Sequence, residues 1–532
     1  MFDIIVRQAR IVDGTGNPWF TDDVGVQDGK ITRIGKIDEK ADVEIDGKGL
    51  YLSPGFIDPH AHDDGCAFFD EAVINKLSQG VTTDVSGNCG QSLAPVSERY
   101  WQENRKVHSI INPPEGMQSF TTFAGFLETI AGRRLGINMG YLVGHAALRI
   151  AVMGLDNRQP TDRELQQMKD YLTEALDSGA LGLSIGLLYP PGSIASRNEF
   201  VELCRIVKEK DAIFTIHIRD EGNNVIESVQ EAIEIAEQSG ALLNISHHKA
   251  IGKANWGKIK TTLKMIEDAN RRGIEVGFDQ YPYNANCTYL STILPPSYLV
   301  GDPAELVRNL GIPEFREKTK ADILAFTEKW DNYVVNVGFD GMLMIKAEST
   351  PAAVGRTVGE YARSIGADPF DAALDLLIAN NLEVIGVYFS MSDDDVEEVM
   401  RNPYGMVGTD GIYMRNKEKT HPRVTASFPR ILGRYVREKK VLRLEEAVRK
   451  MTSLPAQRLR LKSKGLIKEG FDADLVVFDA NTIIDNADFV NDSYAPNTGI
   501  KYVIVNGKLA LVDNQYAGTA SGKVVRRKPA AK

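Results

Sequence analysis

Cysteine is scarce in this 532-residue chain: only Cys66, Cys89, Cys204 and Cys287 occur, with no Cys-x-x-Cys pair. Such spacing supports no disulfide framework and points to a reducing compartment. Long apolar runs are also missing, and no stretch reaches the ~18 residues that a membrane-spanning helix needs. The opening Met1-Phe2-Asp3-Ile4-Ile5-Val6-Arg7 has the pattern of a strand and lacks that of a signal peptide. A cytoplasmic location is therefore expected. Excess positive charge is absent: 62 Lys and Arg against 72 Asp and Glu leave a net charge of −10. That balance argues against a nucleic-acid surface. The basic end, Arg526-Arg527-Lys528, reads as a frayed tail. No internal repeat or low-complexity segment is present.

What is there is alternation. Residues 2 to about 50 carry short strand patterns, such as Ile4-Ile5-Val6 and Ile31-Thr32-Arg33-Ile34, separated by turn signals such as Asp28-Gly29. The other end repeats the style in Asp474–Phe478 and in Val503-Ile504-Val505 before Asn506-Gly507. Residues 1–52 and 456–532 are expected to build one small β-domain together.

Between them, residues 53–455 alternate strand and helix. Eight short apolar strands with polar C-terminal ends are expected at 55–62, 81–86, 137–143, 180–185, 212–217, 242–247, 274–279 and 405–408. Helices are expected at 161–178, opened by Thr161 and closed by Gly179, and at 224–238 and 258–271. Eight strands with crossover helices predict a (β/α)8 TIM barrel, an α/β fold whose site lies at the strand C-termini. The interval 286–404 is too long for one βα unit, so about 286–350 is expected to be an insertion over the barrel mouth. Within it, 333–345 has strand character.

The metal-competent residues gather at those strand ends. His60 and His62 close the first strand and face one side, because side chains on a strand alternate. Cys89 follows the second strand, His217 ends the fifth, His247 and His248 end the sixth, and Asp410 follows the eighth. Five of the eight His lie at strand ends, and His145 after the third strand is a sixth. Scattered rim residues would not collect in this way. Imidazole, thiolate and carboxylate together suit zinc, and the soft thiolate argues against Mg or Ca. Asp410 beside such a metal could take a proton from water and return it to a leaving amine.

These stretches resemble the amidohydrolase superfamily and, within it, the N-acyl-D-amino-acid deacylases (D-aminoacylases). The resemblance is carried by Ser53-Pro54-Gly55-Phe56-Ile57-Asp58-Pro59-His60-Ala61-His62, Asn88-Cys89-Gly90, His217-Ile218-Arg219-Asp220-Glu221, Ser246-His247-His248-Lys249, Tyr281-Pro282-Tyr283, Gly408-Thr409-Asp410-Gly411 and His421-Pro422-Arg423. It spans nearly the whole chain. It implies zinc-dependent hydrolysis of N-acyl-D-amino acids to a carboxylate and a free D-amino acid, with Asp410 as general base and acid. No Lys stands at the end of the fourth strand to bridge two metals, and Cys89 matches the family's thiolate ligand. A tightly bound zinc would then use Cys89, His217 and His247. His60, His62 and Asp410 would form a second, weaker or empty position.

The resemblance further implies that Lys249, Tyr283 and Arg423 hold the substrate carboxylate, a task that suits the planar guanidinium. His248 is the adjacent alternative to His247. Arg219 stands behind the clamp, and Asp220 and Glu221 either orient ligands or pair with basic neighbours. Three stretches depart from the family pattern: Ala426-Ser427-Phe428, the basic segment 412–419, and Asn284-Ala285-Asn286-Cys287-Thr288. They bear on which side chain is accepted. A cyclic-amide hydrolase of the dihydroorotase or hydantoinase kind is the alternative. The partner is a small-molecule substrate, with no nucleic acid or membrane, and self-association to a homo-oligomer is left open.

Overall fold

The computed structural model describes residues 1–69, 73–111, 119–325, 330–412 and 419–527. Its centre is a set of parallel strands in chain order. Val143–Gly144, Gly182–Gly186, Ile213–His217, Leu242–Ile245, Val276–Gln280 and Gly405–Val407 form one sheet, and Phe56–Asp58, Val81–Ser86 and Asn138–Tyr141 form another. The third expected strand thus divides at Leu142 and contributes to both sheets. The Leu142 amide donates to the Ser86 carbonyl at 2.9 Å and carries the contact across the break. At the other edge Asp410 N donates to His60 O at 2.7 Å, and Gly411–Ile412 pairs in parallel with Ala61–His62. These bonds bring the eighth strand beside the first.

The first strand is shorter than its sequence pattern suggested, ending at Asp58 and resuming at Ala61. Pro59 lies in the gap and has no N–H to continue a ladder. Helices pack between the strands where the 3.6-residue period predicts them, at Asp162–Ser178, Val225–Ser239 and Ile259–Arg271. The first is opened by a capping box, in which Thr161 accepts from Glu164 N while the Glu164 carboxylate reaches back to Thr161 N. Gly179, at φ 110°, ends it in the left-handed region that suits glycine. The strand side chains bury a continuous apolar core that includes Phe214, Ile216, Leu243, Ile245, Val276 and Phe278.

Both ends of the chain enter one nine-stranded sheet. Leu475–Phe478 pairs antiparallel with Tyr51–Pro54, which lies parallel to Phe2–Ile11. Asn506 and Gly507, at φ 47° and 76°, turn the chain from Ile500–Val505 into Lys508–Val512, as a two-residue hairpin requires.

The long interval has a sheet of its own. Asn286–Tyr289 and Met342–Lys346 both pair antiparallel with Ile385–Tyr388. Its apolar core, with Leu290, Tyr333, Met344, Leu374 and Tyr388, is separate from the central one. The unit therefore reaches Tyr388 and is longer than the expected 286–350. Within 333–345, Tyr333–Asn336 is helical and the strand begins only at Met342. Asn332 caps that turn by accepting from Val335 N.

Candidate metal centre and substrate cavity

Three of the residues at the strand ends have a backbone conformation that non-glycine residues rarely adopt. Cys89, His247 and Asp410 have φ of 53°, 36° and 47°. Each such residue costs on the order of 1–3 kcal/mol, and such strain persists where the surroundings over-determine it. At Cys89 the surroundings are visible: Gly87 and Gly90 are also left-handed, and a Cβ on Gly87 would meet the Leu142 carbonyl oxygen at 2.2 Å. The sharp turn aims the thiol back over the ends of the strands.

The result is a buried convergence. Cys89 Sγ lies 3.4 Å from His60 Nε2 and 3.5 Å from His247 Nε2. His247 Nε2 is 2.9 Å from His217 Nδ1. Asp410 Oδ1 lies 3.4 Å from His60 Nε2 and 3.2 Å from His62 Nε2. One donor atom each from His60, Cys89, His247 and Asp410 fits within 4.8 Å, as does a second set from His217, Glu221 and His247. All six expected metal residues thus meet in one place, with His247 common to both groups.

The electrostatics suit a cation. Burial pushes the Cys89 thiol up, but the fields of His60 and His247 and hydrogen bonds from His217 and His247 outweigh it and hold the pKa well below the usual thiol range. A thiolate is the ligand form. Burial likewise raises Asp410, and Arg423, His247, His62 and His60 together hold it well below the ordinary carboxylate range.

Further residues position these donors, and sequence reasoning missed most of them. Asp279, at the end of the seventh strand, lies 2.9 Å from His60 Nδ1 and accepts from the His247 amide at 2.8 Å through the same oxygen. Such a contact orients the imidazole whose other nitrogen faces a metal. An acid at a strand C-terminus was the available signal. Glu221 Oε1 lies 2.9 Å from His247 Nδ1 and accepts from Lys249 Nζ at 2.5 Å. Asp331, from the long interval, accepts from Glu221 N at 2.6 Å. Behind the first strand the buried Lys76 Nζ meets Asp58 at 2.5 Å, Asp84 at 2.9 Å and Asp63 at 3.2 Å. Asp58 also accepts from Thr409 N at 2.9 Å, which ties the first strand to the eighth. Nothing in the spacing of Lys76 announces this.

The cavity over the cluster is lined by His62, Cys89, His217, His247, Asp410 and the two cations Lys249 and Arg423. Arg423 Nη1 pairs with Asp410 Oδ2 at 2.7 Å. Neither Tyr283 nor Tyr281 is among the residues that line this cavity. The Tyr283 ring lies 5.1 Å from that of His421 and 4.5 Å from the Arg430 guanidinium. Tyr281 is the tyrosine beside the clamp, with Arg423 4.6 Å and Lys249 5.7 Å from its ring centre. His248 turns away to Thr262 Oγ1 at 3.0 Å. Arg219 points outward, forked onto Glu231 at 3.1 and 3.0 Å. Asp220 accepts from Gly222 N and Asn224 Nδ2, both at 2.7 Å, and shapes its own loop. His145 pairs with Glu199 at 2.7 Å, apart from the cluster. Of the basic stretch 412–419, residues 413–418 lie outside the described residues.

Comparison with known proteins agrees with this geometry. The family profile described as "Amidohydrolase family" matches residues 43–510. A D-aminoacylase of Alcaligenes xylosoxydans xylosoxydans is 33% identical over 99% of this chain and 98% of its own length. An N-acyl-D-glutamate deacylase of the same organism is 34% identical over 99% of this chain and 96% of its own. The solved structure of N-acyl-D-glutamate deacylase from Bordetella bronchiseptica, complexed with zinc and a phosphonate mimic of the reaction's tetrahedral intermediate, superposes with a TM-score of 0.84. It is 33% identical, and 99% of each chain is covered.

Proposed function

The chain belongs to the amidohydrolase family, and from that premise we propose that it hydrolyses the amide bond of N-acyl-D-amino acids. Water is consumed, the C–N bond breaks, and a carboxylate and a free D-amino acid leave. The observation that carries this reading is the buried meeting of Cys89, His60, His247 and Asp410 beneath a cavity walled by Lys249 and Arg423. A cluster of this kind serves the bond that is cut, and the two cations serve a carboxylate next to it.

The donor set fits zinc: a thiol held in its thiolate form, imidazole nitrogens and a carboxylate, all buried. Cys89, His217 and His247 would hold the tightly bound ion, and His60, His62 and Asp410 a weaker second one. Zinc bound there would supply a Lewis acid and ionise water near neutral pH. Asp410 receives the proton of the attacking water and delivers it to the departing nitrogen. Arg423 and Lys249 hold the α-carboxylate and so fix which carbonyl stands over the cluster. In this reading Tyr281, between the two cations, takes the part that the sequence assigned to Tyr283.

The eight parallel strands, with the eighth hydrogen-bonded to the first through Asp410 N and His60 O, support a closed (β/α)8 barrel over about 53–455. Residues 1–52 and 456–532 then make up the accompanying β-domain. No described helix is long and apolar enough to cross a membrane. The four cysteines form no disulfide among the described residues, which supports a reducing compartment, and we assign the protein to the cytoplasm on that ground.

The test is amine release from paired N-acetyl-D- and N-acetyl-L-amino acids, with zinc measured in the same preparation. Release from the D forms alone with about one zinc per chain is the expected result. Ring opening of a hydantoin or dihydroorotate without amine release would overturn the reading in favour of the cyclic-amide alternative.

A further inference from the structure

Apart from the metal cluster and the two cations, much of the cavity lining has a consistent chemistry. This wall is formed largely by Asn286, Cys287, Thr288 and Tyr289 of one strand of the long interval, with Tyr333 and Tyr189 beside them. None of these side chains carries a charge. Burial pushes the Cys287 thiol up to about 12, against the pull of Arg423, so it stays a neutral thiol.

The polar atoms of this wall are also already engaged. Tyr189 Oη and Thr288 Oγ1 share a hydrogen bond of 2.9 Å. Asn286 Nδ2 donates to Tyr333 Oη at 2.7 Å, and Asn286 Oδ1 accepts from Ser390 Oγ at 2.8 Å. Tyr289 Oη lies 2.7 Å from Ser109 Oγ. What the wall offers a ligand is ring faces, a neutral thiol, and hydroxyl and amide groups that already hold hydrogen bonds within the protein.

The charge balance points the same way. Among the described residues the cavity has two cations, Lys249 and Arg423, already faced by Glu221 and Asp410. A substrate's α-carboxylate occupies both. A second carboxylate on the substrate side chain would be desolvated beside two existing carboxylates, with no further cation among the described residues to meet it. Burying an unpaired carboxylate is among the costliest events in a protein interior.

We infer that this cavity selects N-acyl-D-amino acids with uncharged, aliphatic or aromatic side chains and rejects those with acidic ones. The inference rests on the deacylase reading above and deepens it, because the relatives in the comparison include enzymes named for acidic and for unspecified side chains at nearly equal identity.

The test uses the zinc-loaded full-length enzyme. Steady-state kcat/KM is measured for N-acetyl-D-leucine, -methionine and -phenylalanine against N-acetyl-D-glutamate and -aspartate. The acidic pair should be slower by about 100-fold or more, as expected when a buried polar group of the substrate is left unpaired. Equal or higher values for the acidic pair overturn the inference. Calorimetric binding of the same compounds keeps the two readings apart. If no compound releases amine, the deacylase reading fails, while tighter binding of the neutral set still supports selection by this wall and tighter binding of the acidic set overturns it. A Thr288→Lys variant should raise kcat/KM for N-acetyl-D-glutamate at least tenfold relative to N-acetyl-D-leucine, and no change in that ratio counts against the assignment.

Discussion

Arg423 Nη1 lies 2.7 Å from Asp410 Oδ2, with both side chains buried in the cavity. The group proposed to hold the substrate carboxylate is therefore ion-paired, in the free enzyme, with the group proposed to carry the proton. Arg423→Met breaks the pair and removes the clamp together. Removing one partner of a buried ion pair costs about 3–5 kcal/mol, so kcat/KM should fall by roughly two to three orders of magnitude. KM should carry most of the loss. A variant with unchanged KM for N-acetyl-D-amino acids would show that Arg423 serves Asp410 alone.

Metal retention and proton transfer should separate by mutation. Cys89→Ala removes the thiolate that approaches both His60 and His247, and zinc per chain should drop steeply after dialysis. Asp410→Asn should keep about one zinc per chain and lose kcat by about 100- to 10,000-fold, the usual range for a positioned acid or base. Loss of all zinc from Asp410→Asn would make it a ligand of the tight site.

Asp279 holds two parts of the cluster with one oxygen, the His60 ring and the His247 amide. Asp279→Asn keeps the shape and removes the charge. Zinc affinity, read by competition with a chelator, should weaken about 10- to 100-fold. An unchanged affinity would mean that the imidazoles are oriented by packing alone.

Lys76 is fully buried among Asp58, Asp63 and Asp84. Lys76→Met leaves three carboxylates without their cation beneath the first two strands. Breaking a buried ion cluster from one side costs about 3–5 kcal/mol, and chemical denaturation should report a loss of that order. A loss under about 1 kcal/mol would show that the carboxylates take up protons and relax.

His108 offers a pH test away from the metal cluster. Burial holds its pKa down at about 3, against an ordinary 6.5, while Nδ1 faces Asn104 Oδ1 at 3.1 Å. The folded state keeps His108 neutral, whereas the unfolded chain binds a proton below about pH 6.5. Stability therefore falls as pH drops from 6.5 towards 3, by up to about 1.4 kcal/mol per unit. Going from pH 7.5 to 5, His108→Gln should gain about 2 kcal/mol relative to the unsubstituted protein in denaturant titrations. Parallel pH curves for the two proteins would sink the assignment.

How much could be read in advance depended on the range of each interaction. Strands, helices and their capped ends follow from local periods, and so did the arrival of His60, Cys89, His217, His247 and Asp410 at strand C-termini. The cluster of metal-competent side chains was legible because they are distinctive residue types and a parallel α/β fold sends strand ends to one side. Apart from Glu221, the groups that position those residues were not legible, because their partners lie far away in sequence. Asp279 meets His60 219 residues away and Asp331 meets Glu221 110 residues away; a strand C-terminus is the one local signal for Asp279, and nothing local marks Asp331. Tyr281-Pro282-Tyr283 presented two tyrosines to one role, and alternation cannot say which faces the cations. Only the tertiary packing shows that Tyr281 is the one beside Arg423 and Lys249. The long interval was visible as excess length, yet its pairing of Asn286–Tyr289 with Ile385–Tyr388 joins segments almost a hundred residues apart. That pairing decides which side chains line the cavity wall, because the face a strand presents depends on a register that no single segment contains.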